Sequence, residues 1–395
     1  MGAAANGHAT VSSVNDNSRY VAFTSTADNL VSGDTNGRSD VFLKDLLDGT
    51  VTLVSADQTG RIGNGASAVT SPQSISGDGR YVVFSSVASN LVPGDTTGRT
   101  DVFRKDMQTG AVTRMSRSAS GQAANADSVL PTISRDGNLV AFTSTADNLT
   151  SGDANARADV FVRNVSAGTV ALVSRTAGGG PANGDALHSA FSGDGGFLAF
   201  DSTATNIVTG ASGVLAVYRV NLSDRSVTSV SASSAGVLAS RDSTEPALSN
   251  DGRYVVFRSF ASNLVAGDTN ATSDVFRKDL TTGAVVRVSE NGTAEPDGPV
   301  GYLPVISGSG DVVSFDSDAT NLLPGFSGTH VYRKVISTGS LRAVSVNAAG
   351  TPGNNVSSAP SMTRSGSTVT FMSYADNLVA GDTNNRSDVF ITRTP

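Results

Sequence analysis

Phe142-Thr143-Ser144-Thr145-Ala146-Asp147-Asn148-Leu149 is the stretch that decides the fold. Written F-x-S-x-A-x-N-[LI], it occurs seven times, starting at Phe23, Phe84, Phe142, Phe200, Phe257, Phe315 and Phe371. Successive starts lie 61, 58, 58, 57, 58 and 56 residues apart, so the chain is one tandem array. Each period reads as four short β-segments. In the third, Val129 to Ser134 is an apolar run, and Asp136-Gly137 is a tight turn in which glycine takes a positive φ. Leu139 to Ser144 follows as a β-rich strand and leads into a longer loop. Asp159 to Arg163 and Val170 to Ser174 complete the unit, separated by the Ala167-Gly168 turn.

Four antiparallel strands per repeat, seven times over, predict an all-β, seven-bladed β-propeller that uses residues 1–395 as a single domain. A solenoid would have shorter coils and capping repeats. The fourth strand appears six times, ending at Ser55, Ser116, Ser174, Ser231, Ser289 and Ser345, and blade 7 stops after its third. The closing blade is therefore expected to be incomplete, with an open edge unless Gly2 to His8 fold back along Val389 to Thr392. A monomer, or an oligomer joined through that edge, follows.

Ser134-Arg135-Asp136-Gly137, then Leu139-Val140-Ala141-Phe142 and Asp159-Val160-Phe161, resembles the TolB-like propeller repeat, a relative of the WD-repeat propellers. The resemblance covers the whole chain. It departs at the turns of blade 1 (Asn17-Ser18), blade 6 (Ser309-Gly310) and blade 7 (Ser365-Gly366). What it implies about activity is broad: protein-binding domains, peptidase gating domains and some polysaccharide lyases share the repeat.

Composition narrows the partners. The net charge is -7 with no Lys/Arg block, so nucleic acid and anionic membrane are poor partners. No apolar run is long enough for a spanning helix. There is no cysteine, hence no disulfide or thiol chemistry. Met1 to Thr10 lacks the charged and apolar regions of a signal peptide. The reading is nonetheless of an exported bacterial protein, secreted or periplasmic, with its leader removed.

The seven copies act as an internal control. Residues kept in every copy read as structural: the Phe packs between blades and the Asn bonds loop backbone. The acidic residues behave otherwise. Blades 1, 2, 3, 5 and 7 carry the pairs Asp34/Asp40, Asp95/Asp101, Asp153/Asp159, Asp268/Asp274 and Asp382/Asp388. Blade 4 has Ala211 and Ala216 instead, and blade 6 has Phe326 and His330. Joint loss suggests one task for both carboxylates. Hard oxygen donors on a tight loop point to Ca²⁺. Turn formation and backbone bonding are the metal-free explanation.

Deviations also gather where the chain enters blades 4 to 6. His188, Arg241, Asp242, Glu245 and Tyr302 stand there, with Glu295 and Asp297, where Ser71, Leu130 and Ala359 stand elsewhere. Strand direction puts these segments on the face that also bears the long loops, where binding sites concentrate. They are the expected ligand-binding residues. The leading expectation is a non-catalytic binding or scaffold propeller for a glycan or a protein. The rival is a polysaccharide lyase or hydrolase at the central channel. There Tyr302 or His188 would act as base or acid, Glu245 or Asp242 as partner, and Arg241 would neutralise substrate acid. No P-loop, dinucleotide fingerprint or nucleophile elbow occurs. The three histidines, His8, His188 and His330, are too dispersed for a three-histidine zinc site.

Overall fold

The computed structural model describes residues 4–95, 98–292 and 294–394. Seven antiparallel sheets form a closed ring, with no helix among the described residues. Among the described residues six sheets have four strands and the seventh has three, Ser357–Met362, Thr368–Ser373 and Asp388–Arg393. The described part of the closing blade thus has the three strands expected from the sequence. Among the described residues of the N-terminal stretch, Ala5 and His8 meet Asn384 and Ser387 rather than Val389 to Thr392. Gly2 and Ala3 lie outside the described residues.

The ring closes in the way that neighbouring blades join. The first inner-strand N–H of blade 1, Ala9, donates to Ser387 O at 2.7 Å. Ser128 to Thr100, Ala186 to Ala158, Ser243 to Leu215 and Ser357 to Thr329 repeat that bond at 2.7–2.9 Å.

The invariant residues earn their constancy. Phe142 faces Phe161 across the second and third strands, ring centres 5.9 Å apart, and an equivalent aromatic pair fills each blade at 5.8–6.0 Å. These pairs pack on the neighbouring blade: Phe84 and Phe103 share a core cluster with Ala22 and Val41 of blade 1. In all seven copies the signature Asn is a two-way clamp. Asn148 donates from Nδ2 to Ala123 O at 2.9 Å and accepts Asn125 N–H at 3.0 Å. The same reciprocal bonds recur at Asn29, Asn90, Asn206, Asn263, Asn321 and Asn377. The clamp pins the loop arriving from the previous blade by pairing one of its N–H groups and one of its carbonyls.

On the short-turn face the turn glycine does two jobs. Gly137 has φ +74°, and an added Cβ would lie 2.3 Å from Tyr81 Cδ2 of blade 2. Gly79 over Tyr20, Gly252 over Phe197 and Gly310 over Tyr254 repeat the contact. Arg104 stacks on the Tyr81 ring at 4.2 Å and donates to Gly137 O at 2.6 Å, tying blade to blade. The turn of blade 6 lost its Asp but kept Gly310, which is the residue that this contact requires.

Candidate functional site

The inner strands converge on a central channel, and their irregularities shape it. The register shifts in the inner strands of blades 1, 3, 4, 5 and 7. On the inner segments of blades 3, 5, 6 and 7, Leu130, Glu245, Leu303 and Ala359 occupy left-handed backbone, with φ +53°, +57°, +60° and +51°. Each precedes a proline (Pro131, Pro246, Pro304, Pro360). Residues held in such conformations persist only where the surroundings enforce them, and they concentrate at functional sites. With His188 of blade 4, Leu130, Glu245 and Leu303 line the channel pocket.

Two side chains cross this channel. Arg364 of blade 7 donates to Leu248 O of blade 5 at 2.9 Å and to Phe191 O of blade 4 at 3.4 Å. Gln73 of blade 2 exchanges bonds with the Phe191 backbone at 3.1 and 2.9 Å. Burial lowers the pKa of the Arg364 guanidinium.

Blades 4 to 6 carry a polar cluster on the channel. Asp201, fully buried, is its hub. Its Oδ2 lies 2.9 Å from His188 Nδ1 and accepts the Glu245 N–H at 3.0 Å and the Thr244 hydroxyl. Its Oδ1 accepts the His188 N–H at 3.1 Å. Glu245 Oε2 accepts the Leu303 N–H at 3.0 Å. The Arg258 guanidinium stacks between the rings of Tyr302 (4.5 Å) and Phe260 (4.7 Å). Asp316 Oδ1 and Arg258 Nε are buried without a hydrogen-bond partner. Tyr302 lies above them, 62% exposed.

The electrostatics follow from burial and pairing. Burial opposes charge on His188, yet the Asp201 carboxylate, aided by Glu245, holds the imidazole above its ordinary pKa. Burial raises Glu245, against the Leu303 N–H, His188 and Arg258. Burial pushes Asp316 up to about 7, with Glu245 adding and Arg258 opposing.

Three of the residues singled out in the sequence therefore belong to one region: His188, Glu245 and Tyr302. Asp242 does not join them, and Arg241 reaches only the outer Phe260 ring on which Arg258 also stacks. Arg241 is exposed, 5.6 Å from the Phe260 ring. Asp242 accepts the Leu215 N–H at 2.9 Å, the same loop bond that Asp127 makes to Thr100 and Asp185 to Ala158. Its role is to position the inter-blade loop. Glu295 binds Thr269 and Arg287, and Asp297 binds Thr320. Sequence reasoning missed Asp201, Arg258 and Asp316, although the signal was present. They occupy the first variable position of the repeated signature, where the other blades have Thr24, Ser85, Thr143 and Met372. Thr143 bonds Leu187 O of the next inner strand, and Asp201 bonds Glu245 N–H from the equivalent place.

The paired Asp loops lie away from the channel. The second Asp of each pair is a bonding hub. Asp40 accepts Ser55 Oγ–H at 2.6 Å and Asn36 Nδ2 at 2.7 Å, and Asn36 also reaches Gly63 O at 3.0 Å. Blades 3 and 5 repeat this through Asp159 and Asp274. Asp388 keeps its Asn384 bond. Thr97, which stands at the Asn position of blade 2, lies outside the described residues. His330 takes the Asp place in blade 6 and lies 3.3 Å from Ser345 Oγ. Among the described residues no three His, Asp or Glu side chains converge as a metal site. No helix there is long and apolar enough to cross a membrane.

No protein-family model and no curated protein matches the sequence. Solved structures do. An oligogalacturonate lyase from Vibrio parahaemolyticus aligns with TM-score 0.55 at 13% identity, over 98% of this chain and 91% of the other. The β-propeller domain of the Trilobed protease from Pyrococcus furiosus aligns with TM-score 0.56 at 11% identity, over 99% and 94%. TolB from Acinetobacter baumannii aligns with TM-score 0.45 at 16% identity, over 98% and 76%. The likeness is one of fold: the chain is a seven-bladed β-propeller, similar in fold to the lyase and to the protease domain.

Proposed function

We propose that the protein is a non-catalytic binding propeller that takes a glycan on the channel among blades 4 to 6. One observation carries this reading. At equivalent positions of seven near-identical blades, only blades 4, 5 and 6 bring charge: Asp201, Arg258 and Asp316 below, His188 and Glu245 above. Buried polar groups cost stability unless they are paired, and such local exceptions to the repeat concentrate at functional sites. Tyr302 offers an exposed aromatic face for the apolar side of a sugar ring, and the cluster offers donors and acceptors for its hydroxyls. An exported location suits such a ligand. A glycan array followed by calorimetry tests the reading. Tyr302→Ala should abolish binding with an unchanged melting temperature. Binding that survives in Tyr302→Ala and in Glu245→Gln would place the ligand elsewhere, and a protein captured in place of any glycan would make this a protein-recognition surface.

The His188–Asp201 pair favours a second reading. An imidazole oriented by a buried carboxylate, beside Glu245, is a usable acid–base arrangement for lyase or hydrolase action on a polysaccharide. Turnover of acidic polysaccharides that disappears in His188→Ala would establish it.

A further inference from the structure

The Asp-pair loops differ among themselves in one respect that the repeat makes visible. Opposite the third-strand aromatic, the outer strand places Arg114 in blade 2 and Arg287 in blade 5. At the same register blades 1 and 3 place Leu53 and Leu172. Blades 4 and 6, which lack both carboxylates, place Ser229 and Ala343.

The arginine reaches both carboxylates at once. Arg114 Nη2 lies 2.9 Å from Asp95 Oδ1, and its Nε lies 3.7 Å from Asp101 Oδ2. Arg287 Nη1 lies 3.6 Å from Asp268 Oδ1 and 3.9 Å from Asp274 Oδ2. One cation therefore spans the pair in each of these blades. In blades 1 and 3 no Lys or Arg among the described residues forms an ion pair with Asp34, Asp40, Asp153 or Asp159. Yet these carboxylates are as deeply buried: Asp34 is 6% exposed, Asp40 0%, Asp153 7% and Asp159 0%. Asp34 Oδ1 is buried with no hydrogen-bond partner. A buried carboxylate pair without a countercharge is costly, and a polar atom left unsatisfied in it calls for an occupant.

We infer that the Asp34/Asp40 loop of blade 1 and the Asp153/Asp159 loop of blade 3 each bind one divalent cation, Ca²⁺, in the place that an arginine guanidinium fills in blades 2 and 5. The donor set is hard oxygen throughout, as Ca²⁺ prefers: the two carboxylates, backbone carbonyls of the loop, and water for the remainder. Gly63 O and Ala182 O, which now accept Asn36 and Asn155 Nδ2, are the nearest carbonyls from the following loop. Blade 7 is set apart, because Asp382 and Asp388 are only half-buried and, among the described residues, no outer strand covers them. The site is a strut between consecutive blades, distinct from the channel, so it stands or falls independently of the proposed glycan.

Native mass spectrometry and calorimetry on chelator-treated full chain, with Ca²⁺ alone as the probe, test this. Two Ca²⁺ per chain are expected, with a melting temperature that rises with Ca²⁺. Leu53→Arg combined with Leu172→Arg should supply the missing guanidinium, remove both sites and make the melting temperature indifferent to Ca²⁺. Arg114→Leu should add a third site. Should the arginine variant misfold, Asp34→Asn with Asp153→Asn keeps the size of each side chain and should lower Ca²⁺ affinity at least tenfold. No Ca²⁺ uptake, or uptake unchanged in the arginine and asparagine variants, would overturn the inference.

Discussion

His188 Nδ1 lies 2.9 Å from Asp201 Oδ2, and the same carboxylate also holds the Glu245 N–H and the Thr244 hydroxyl. One buried side chain thus orients the polar groups of two blades. The pairing also sets the charge of His188. Its folded pKa is raised, so the stability that it contributes is complete below the ordinary histidine value and is lost as pH rises through the folded one. Asp201→Asn removes the charge but keeps the size. NMR titration of the His188 ring should show a midpoint above about 6.5 in the wild type and below it in the variant. An unchanged midpoint would mean that Asp201 does not govern His188.

The signature asparagine predicts a measurable loss. Asn148 bonds both Ala123 O and Asn125 N–H, so Asn148→Ala leaves a partly buried carbonyl without its donor and an exposed amide without its acceptor. The expected cost is about 1–3 kcal/mol in chemical denaturation. Asn148→Asp should cost about as much, since an ionised carboxylate cannot donate to Ala123 O. A neutral effect would assign the constancy of this residue to something other than the clamp.

Gly137 predicts a larger loss. Alanine there must hold φ near +74° and would press its Cβ against the Tyr81 ring. Left-handed strain and overpacking together should destabilise the fold by about 2–4 kcal/mol. Relief by a second change, Tyr81→Ala, would identify the ring contact as the larger part. If Tyr81→Ala gives no relief, the backbone strain dominates.

The architecture was legible in the sequence because a repeat reports its own constraints. A residue kept in seven blades, such as Asn148, must be doing something local that every blade needs, and the clamp is that. Blade number, strand order and the short closing blade followed from spacing alone. The candidate site was half legible. His188, Glu245 and Tyr302 stood out because their counterparts are small or apolar. Arg241 and Asp242 stood out for the same reason, yet they belong to the loop before the inner strand, where Asp242 bonds Leu215 N–H and Arg241 stays exposed at the edge of the Phe260 ring. Asp201, Arg258 and Asp316 were overlooked because they sit inside the signature at a position read as variable. Their convergence depends on the curvature of the ring, which places equivalent residues of neighbouring blades side by side.

Asp316 supplies the pH test of the cluster. Burial pushes its carboxyl up to about 7, with Glu245 and Asp318 adding and Arg258 opposing. An unfolded aspartic acid releases its proton near about 4, so between about 4 and 7 the folded chain holds the extra proton. Stability should therefore fall as pH rises through that window, by at most about 4 kcal/mol for this group. His188, whose raised pKa acts in the same sense above about 6.5, extends the decline, and Asp316→Asn isolates the carboxyl part. Denaturation curves from pH 4 to pH 8 should converge at the acid end and diverge at the alkaline end, with the asparagine variant the more stable above pH 7. Parallel curves would show that Asp316 is ionised in the folded chain throughout, with the Arg258 charge outweighing burial.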